Sequence, residues 1–342
     1  MSPAERQALQ GWWRGFVESG ELPSCFERVQ GRLIRAVHRA PLAGGEVFVK
    51  TMTFPRGKDR LRYLLRALPA KHEAEMLRAT AAAGVPCPEV VAAFSGRRLG
   101  LPRRSMLVLR ALPAVCEQAD PEQRAVDEVH LALRLLRAGI YHGDLHGENF
   151  VRLASGALAV LDLQSARRFD AGAAGARRRR CLVAARMLRA RSGAEAQAAL
   201  DAMRGCGLLA SAAEVAETLA LRDRERARYD ETRIRRCMQS STEFERRISW
   251  RGVCYRLRSA RAGGRWIRGC SRSRDAWVGQ RIQQLRSSEV GPFGAYFQKW
   301  WWLGGGASLY VSRSCSDDQI EAAVESASAA ARALRSDAAN LL

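Results

Sequence analysis

Between residues 135 and 163 two short apolar runs each end in a turn that carries acid. The first, Leu135 to Ile140, leads into Tyr141-His-Gly-Asp-Leu-His-Gly-Glu-Asn-Phe150. That segment holds a carboxylate at Asp144 and a carboxamide five residues later at Asn149. The second run, Ala157-Leu-Ala-Val-Leu-Asp162, closes on another carboxylate thirteen residues beyond Asn149. Short apolar runs bounded by turn residues read as buried strands or helix ends. A chain that buries both runs must bring their polar ends out on loops.

Phosphoryl transfer from a nucleotide needs this set of groups: a carboxylate to take the proton of the attacking hydroxyl, and an amide plus a second carboxylate to hold the metal that bridges the phosphates. The order Asp, Asn, Asp, with the last Asp at a strand end, has the form of a kinase catalytic loop followed by its metal-binding turn. Asp144 is read as general base. Asn149 and Asp162 supply the hard oxygens magnesium prefers. Each alone has an ordinary reading, as a capping Asp or a turn Asn; the three together outweigh it. Lys50, at the end of Glu46-Val-Phe-Val-Lys50, is placed to pair with nucleotide phosphates, and a carboxylate on the following helix would hold it by an ion pair. Glu73 is preferred for that role, eleven residues before Gly84, with Glu75 as the alternative. His142 is read as bracing the loop and His146 as lying near the phosphates. A His-x-Asp-x-His metal site is the minor alternative. Gln164 and Arg167 or Arg168 either meet substrate anions or form a solvated face.

Other chemistries lack their motifs. There is no Gly-x-x-x-x-Gly-Lys-[Ser/Thr] loop, no His-Glu-x-x-His and no Gly-x-Ser-x-Gly. No Gly-x-Gly-x-x-Gly precedes the Lys50 strand, so phosphate cover is assigned to Arg28–Gly31. The 342 residues carry 56 Lys and Arg against 35 Asp and Glu, a net charge of +21. Such a surface seeks polyanions, or reflects an arginine-rich coding bias. Nine cysteines occur singly without Cys-x-x-Cys, as expected of reduced thiols in a cytosol. The N-terminus lacks the apolar stretch of a signal peptide, and no window reaches the ~18 apolar residues of a membrane span. The expectation is a cytoplasmic protein, at most peripheral to a membrane.

The pattern along the chain is α+β. A helix with Trp12, Trp13 and Phe16 precedes Pro23. Arg32–His38 and Glu46–Lys50 read as a hairpin around Pro41 and Gly44-Gly45. Lys58–Leu68 reads as a basic helix stopped by Pro69, and Ala70–Ala83 as a second helix closed by Gly84. Glu89–Phe94 and Ser105–Leu109 read as strands, Leu109–Pro113 as a hinge, and Gln123–Ala138 as a helix. Residues 181–227 read as mostly helical. Phe244–Arg258 reads as another hairpin, Trp300-Trp-Trp302 as aromatic anchors of a core or a membrane interface, and Ser316–Leu334 as an Ala-rich helix. The domain reading is an N-terminal helical segment (1–24), a strand-rich part (25–111), a helical part (112–230) and a C-terminal extension (231–342).

Val49-Lys50, the Glu73 helix running into Ala83-Gly-Val-Pro-Cys-Pro88, His142-Gly-Asp-Leu-His-Gly-Glu-Asn149 and Leu161-Asp-Leu163 together resemble the lipopolysaccharide kinase family, the Kdo/WaaP-like group with its InaA-type relatives. The resemblance covers roughly residues 25 to 230. It implies a two-lobed protein-kinase-like fold with a small antiparallel-sheet N-lobe and a mainly helical C-lobe. It also implies ATP, Mg2+ and phosphorylation of a heptose or Kdo hydroxyl of the lipopolysaccharide inner core at the cytoplasmic membrane face; the alternatives are a small-molecule or protein kinase of the same fold, or a catalytically weak kinase-like module that binds anionic surfaces. By position, Lys50 would bind phosphates, Glu73 would pair with it, Asp144 would be the base, and Asn149 with Asp162 the metal ligands. Partners are then the core glycan and an anionic membrane surface, with nucleic acid unlikely and no oligomeric state implied. Three departures stand out. Asp162-Leu-Gln replaces Asp-Phe-Gly. Phe169–Gly175 offers no hydroxyl to phosphorylate. Arg180–Arg191 lacks the usual Asp that braces the catalytic loop.

Overall fold

The computed structural model describes residues 1–31, 34–55, 57–64, 66–115, 120–237, 240, 244–249, 252–257, 265–271, 293–300 and 304–311. The chain divides into two compact units, Met1–Arg226 and Ala227–Leu342.

The first unit opens with α1 (Pro3–Ser19), started by a capping box in which the Glu5 N–H donates to Ser2 Oγ (3.2 Å) and the Ser2 N–H donates to Glu5 Oε2 (2.7 Å). A five-stranded antiparallel sheet follows: β1 (Glu27–Gly31), β2 (Arg35–Leu42), β3 (Gly45–Thr53), β4 (Val90–Arg98) and β5 (Leu101–Arg110), ordered β1-β2-β3-β5-β4. Side chains alternate across a strand. Val47 and Val49 of β3, with Met106 and Val108 of β5, therefore face one side and pack with Leu9 and Phe16 of α1. Trp13 stacks on Phe94 (5.4 Å) and Trp12 meets Phe26 edge-on (4.7 Å). Phe48, Lys50, Leu107 and Leu109 fall on the opposite side and line a cleft. One face of the sheet is thus sealed by α1, and the other carries the chemistry.

Between β3 and β4 lie α2 (Gly57–Arg62) and α3 (Pro69–Ala82). The basic helix expected over 58–68 ends at Arg62. The carbonyls of Tyr63, Leu64 and Arg66, which further turns would use, are taken instead by the Arg97 guanidinium at 2.9 to 3.0 Å. Pro69 does not stop that helix but opens α3, where its missing N–H costs nothing, and Leu68 ahead of it is extended (ψ 151°), as a residue before proline should be. The free Ala70 N–H at this end donates to Ser105 Oγ of β5 (3.0 Å), which fixes α3 on the sheet. Ala70, Glu73, Ala74, Leu77 and Thr80 make up the buried stripe of α3, so Glu73 is aimed inward by helical periodicity.

The sheet differs from the sequence reading at its edges. β1 was not expected; the proposed phosphate cover at Arg28–Gly31 belongs to this strand, which pairs with β2, rather than to a loop. Pro41 lies inside β2 opposite Glu46, past the last β1 partner at Arg39, so it breaks no ladder bond to β1. β4 and β5 run on to a two-residue turn, Leu99-Gly100, with both φ angles positive (50° and 75°), the backbone that a tight hairpin requires.

The helical part comprises α4 (Pro121–Arg137), α5 (Ala176–Leu188), α6 (Gly193–Gly205) and α7 (Ala212–Cys237), with four short strands between α4 and α5. β6 (Ile140–His142) pairs with β9 (Ala166–Arg168), and β7 (Phe150–Arg152) with β8 (Leu158–Val160). The two apolar runs of the sequence are thus an α4–β6 junction and β8, buried with Leu131, Leu135, Leu163 and Met187 in the main core. Buried Arg191 bonds the carboxylate of Glu128, itself 1% exposed, and so ties α4 to the segment after α5.

The second unit contains a five-stranded antiparallel sheet of β10 (Phe244–Ser249), β11 (Gly252–Leu257), β12 (Arg265–Ser271), β13 (Phe293–Trp300) and β14 (Gly304–Val311), ordered β10-β11-β13-β14-β12. The expected Phe244–Arg258 hairpin is β10–β11, in register from Phe244↔Leu257 to Ser249↔Gly252. Trp301, Trp302 and the expected helix at 316–334 lie outside the described residues. No helix among the described residues is long and apolar enough to cross a membrane.

Candidate active site

The β3 alternation turns Lys50 into the cleft, and the α3 stripe turns Glu73 toward it. Lys50 Nζ lies 2.6 Å from Glu73 Oε1 and 3.7 Å from Asp162 Oδ1. Burial works against the Lys50 ammonium, but the carboxylates of Glu73 and Asp162 more than offset it, and its pKa stands above the ordinary lysine value. An ammonium at 2.6 Å should draw a carboxyl pKa down. The Glu73 carboxyl nevertheless stands above its ordinary value, because its side chain is only 5% exposed and Asp162 adds like charge. Glu75, the alternative, is exposed on α3.

Asp144, Asn149 and Asp162 are positioned by their backbone. His142 is buried and both ring nitrogens are used: Nδ1 is 3.2 Å from the Asp144 N and accepts its proton, so Nε2 carries the hydrogen and donates to the Asp162 carbonyl (3.0 Å). One imidazole therefore joins the loop of Asp144 to the turn of Asp162. Burial holds its pKa below the usual histidine value. The alternative His-x-Asp-x-His metal site loses its first ligand here, and among the described residues no group of three His, Cys, Asp or Glu is arranged to hold a metal. Asn149 Nδ2 donates to the Asp144 carbonyl (2.6 Å), which leaves its Oδ1 for a ligand, and the Asn149 carbonyl accepts from the Leu161 N–H (2.7 Å). Asp162 sits in the left-handed region (φ 53°, ψ 59°), which Asp tolerates better than most residues. Its side chain is 57% exposed, and that of Asp144 is 64% exposed. Asn149 and Asp162 thus present one amide oxygen and one carboxylate without a full complement of protein partners, a donor set that fits a hard divalent cation.

Two hollows meet at these residues. One, about 650 Å³, has Val37, Phe48, Leu107 and Leu109 among its apolar walls and holds Lys50 and Glu73, an apolar lining with a few convergent charges. The other, about 1070 Å³, shares Asp144, Asn149, Asp162 and Gln164 with the first; Arg66, Arg167, Arg168 and Arg179 line it, together with Arg35 and the Glu225-paired Arg186. Among the described residues none of the first four of these arginines has an ion-pair partner. By contrast Arg177, Arg180, Arg186 and Arg191 pair with Glu217, Glu214, Glu225 and Glu128. His146 faces both hollows, with Nε2 4.0 Å from Asp144 Oδ2.

Lys50, Glu73, Asp144, Asn149 and Asp162 all line the first hollow, and the last three also the second; His146 and Gln164 line both, whereas His142, Arg167 and Arg168 line only the second. Sequence reasoning missed Arg186. Its Nη1 donates to Tyr141 Oη (3.0 Å) and to the Gly143 carbonyl, from the helix in which an acidic brace was sought. The available signal was a single charge inside the apolar run Cys181-Leu-Val-Ala-Ala-Arg-Met-Leu188. His72 was missed as well; its Nε2 lies 2.9 Å from the Ala166 carbonyl and joins α3 to β9.

Residues 25–180 match the model of the lipopolysaccharide kinase (Kdo/WaaP) family, the family that the sequence resembles, and this span contains Lys50, Glu73, Asp144, Asn149 and Asp162. No curated protein matches the chain. Among solved structures, a WaaP in complex with acyl carrier protein is 21% identical with a TM-score of 0.44, over 59% of this chain and 88% of that one. A crystal structure of WbdD is 17% identical with a TM-score of 0.36, over 59% of this chain and 53% of that one.

Proposed function

We propose that the chain is an ATP-dependent, magnesium-dependent kinase that phosphorylates a sugar hydroxyl, of heptose or Kdo, in the lipopolysaccharide inner core. On this reading the sheet-rich and helical parts of Met1–Arg226 act as the two lobes of a protein-kinase-like fold, with residues 231–342 as an extension. The observation that carries the proposal is the convergence of Lys50, Glu73, Asp144, Asn149 and Asp162 on one cleft, within a segment that matches a kinase family.

The nucleotide ring lies between Val37, Phe48, Leu107 and Leu109. Lys50, held by Glu73, takes the phosphates. Asn149 Oδ1 and the Asp162 carboxylate would hold magnesium, which when bound neutralises charge on the phosphates. Asp144 accepts the proton of the acceptor hydroxyl as its oxygen bonds the terminal phosphorus and the bridging P–O bond breaks, releasing ADP. Arg66, Arg167, Arg168 and Arg179 of the larger hollow, without ion-pair partners among the described residues, suit an acceptor that already bears phosphate or carboxylate. A net charge of +21 would also favour work beside an anionic membrane face.

The test is transfer of label from γ-labelled ATP with magnesium to dephosphorylated core oligosaccharide, with Asp144→Asn run in parallel. Label in the glycan with wild type and none with the variant is expected. Wild type that labels the glycan no faster than Asp144→Asn ends the proposal.

A further inference from the structure

The family match ends at residue 180, yet the base loop is gripped from beyond it. The grip falls on a single peptide unit, the one joining Gly143 to Asp144. Its carbonyl accepts from Arg186 Nη1, and its N–H donates to His142 Nδ1 at 3.2 Å. A peptide plane bonded at both its oxygen and its nitrogen cannot rotate about its flanking single bonds. Those bonds set where the Asp144 side chain points. The preceding peptide is held too: the Gly143 N–H donates to the Ser165 carbonyl at 3.3 Å. A Cβ at residue 143 would come within 2.9 Å of that same oxygen, so glycine is needed for the close approach.

We propose that Arg186 is the positioning residue of the base loop, an arginine that takes over from α5 the work usually given to an acidic brace. It rests on the kinase reading above. Its guanidinium fork serves three partners at once. Nη1 reaches Tyr141 Oη (3.0 Å) and the Gly143 carbonyl, and Nε reaches Glu225 Oε2 of α7 (3.1 Å). Arg186 and Glu225 are both 17% exposed, so the pair is largely withdrawn from water and the carboxylate holds the fork in one orientation. Lysine has no planar fork and cannot reproduce this set. Two accounts compete: Arg186 only ties α5 to α7, or, since it also lines the larger hollow, it binds the acceptor directly.

The experiment uses the full chain with γ-labelled ATP, magnesium and dephosphorylated core oligosaccharide. It compares wild type with Arg186→Met, Arg186→Lys, Glu225→Gln and Asp144→Asn, and records kcat, both KM values and melting temperature. Mis-aiming a catalytic group by about 1 Å costs on the order of 100-fold. Arg186→Met should therefore lower kcat by about 10- to 100-fold, with both KM values within about twofold of wild type. Arg186→Lys should recover part of the loss. Glu225→Gln, whose side chain is outside the cleft lining, should lower kcat by about threefold and keeps the test valid if Arg186→Met does not fold. Three results overturn the proposal: Arg186→Met and Glu225→Gln at wild-type kcat while Asp144→Asn is inactive; a loss of kcat no larger than the unfolded fraction; or a raised acceptor KM at unchanged kcat. Wild type that transfers nothing removes the kinase reading itself, and the inference with it.

Discussion

The two walls of the cleft solve opposite electrostatic problems. On the sheet side, Lys50 already has a carboxylate at 2.6 Å, and that carboxylate is 5% exposed. On the loop side, Asp144 and Asp162 are 64% and 57% exposed, and what is satisfied there is backbone, through His142, Asn149 and Arg186. The sheet wall is a finished ion pair; the loop wall is a rigid frame for unfinished charge. On the proposed function, a phosphate chain and a divalent cation, arriving together, would complete both walls. The difference teaches where each substitution should register: in positioning on the sheet side, in chemistry on the loop side.

The largest effects belong to the loop wall. On the proposed function, Asp162→Ala removes both a magnesium ligand and the second carboxylate near Lys50, and Asp144→Asn removes the proton acceptor. Each should lower kcat by roughly 100- to 10,000-fold: a positioned general base contributes about 10² to 10⁴, and a bound metal several kcal/mol of transition-state stabilisation. Steady-state transfer measured across a magnesium titration checks this. Residual Asp162→Ala activity that rises with excess magnesium would keep Asp162 as a ligand, whereas activity unchanged at any concentration would dismiss that role.

On the sheet wall the expectation is smaller and split. Glu73→Gln frees Lys50 to pair with Asp162, now its nearest carboxylate at 3.7 Å, which competes with metal binding. A fall of about 10- to 100-fold in kcat/KM is expected, with a raised magnesium requirement. Stability should change little. Burial opposes the Glu73 charge, which limits the loss, while Asp162 at 3.7 Å remains to face the Lys50 ammonium that Glu73→Gln leaves behind. Thermal unfolding beside kinetics reads both halves. A collapse in melting temperature would make the pair structural and blur the contrast between the walls.

How much of this was legible in the sequence follows from the range of the interactions. Lys50, Glu73, Asp144, Asn149 and Asp162 could be named because strand alternation, helix periodicity and fixed loop spacing are local signals. The choice of Glu73 over Glu75 needed only the helical stripe through Ala70, Ala74 and Leu77. Long-range hydrogen bonds left no such trace. The basic helix over 58–68 was drawn too long because nothing local reveals that Arg97, more than thirty residues on, takes the carbonyls of Tyr63 and Leu64. Arg186 escaped for the same reason, since its partners are Tyr141, Gly143 and Glu225. The Leu99-Gly100 turn was missed because leucine at φ 50° is not a turn signal, and the arginines around it obscure the strand alternation.

A smaller effect tests the arginines of the larger hollow. Arg167 and Arg168 lie on β9 opposite Tyr141 and Ile140 and have no ion-pair partner among the described residues. Replacing both with Gln should raise the acceptor KM about tenfold, leave the ATP KM near wild type, and weaken the dependence of KM on salt. An unchanged KM for an acidic core oligosaccharide would return these arginines to the solvated surface.

The smallest effect is a pH dependence, and its sign follows from His142. Burial lowers the folded-state pKa of His142 below 6.5, while the unfolded chain titrates at the ordinary value. Below 6.5 the unfolded state therefore binds more protons than the folded state, so stability rises with pH across that window and is lost as pH falls through it. Protonation also costs function. A charged imidazole has no lone pair for the Asp144 N–H, so one of the two bonds that hold the Gly143–Asp144 peptide is lost. His142→Asn places an amide oxygen near the Nδ1 position and cannot titrate. From about pH 7.5 to about 5.5 the wild type should lose activity a few-fold more than His142→Asn does. Melting temperatures should show the same difference; His38, also lowered by burial, remains in both proteins, so the variant keeps some pH dependence of its own. Parallel pH profiles for the two proteins would mean that His142 keeps its bonds regardless of charge, and that the loop wall is rigid for some reason other than the imidazole.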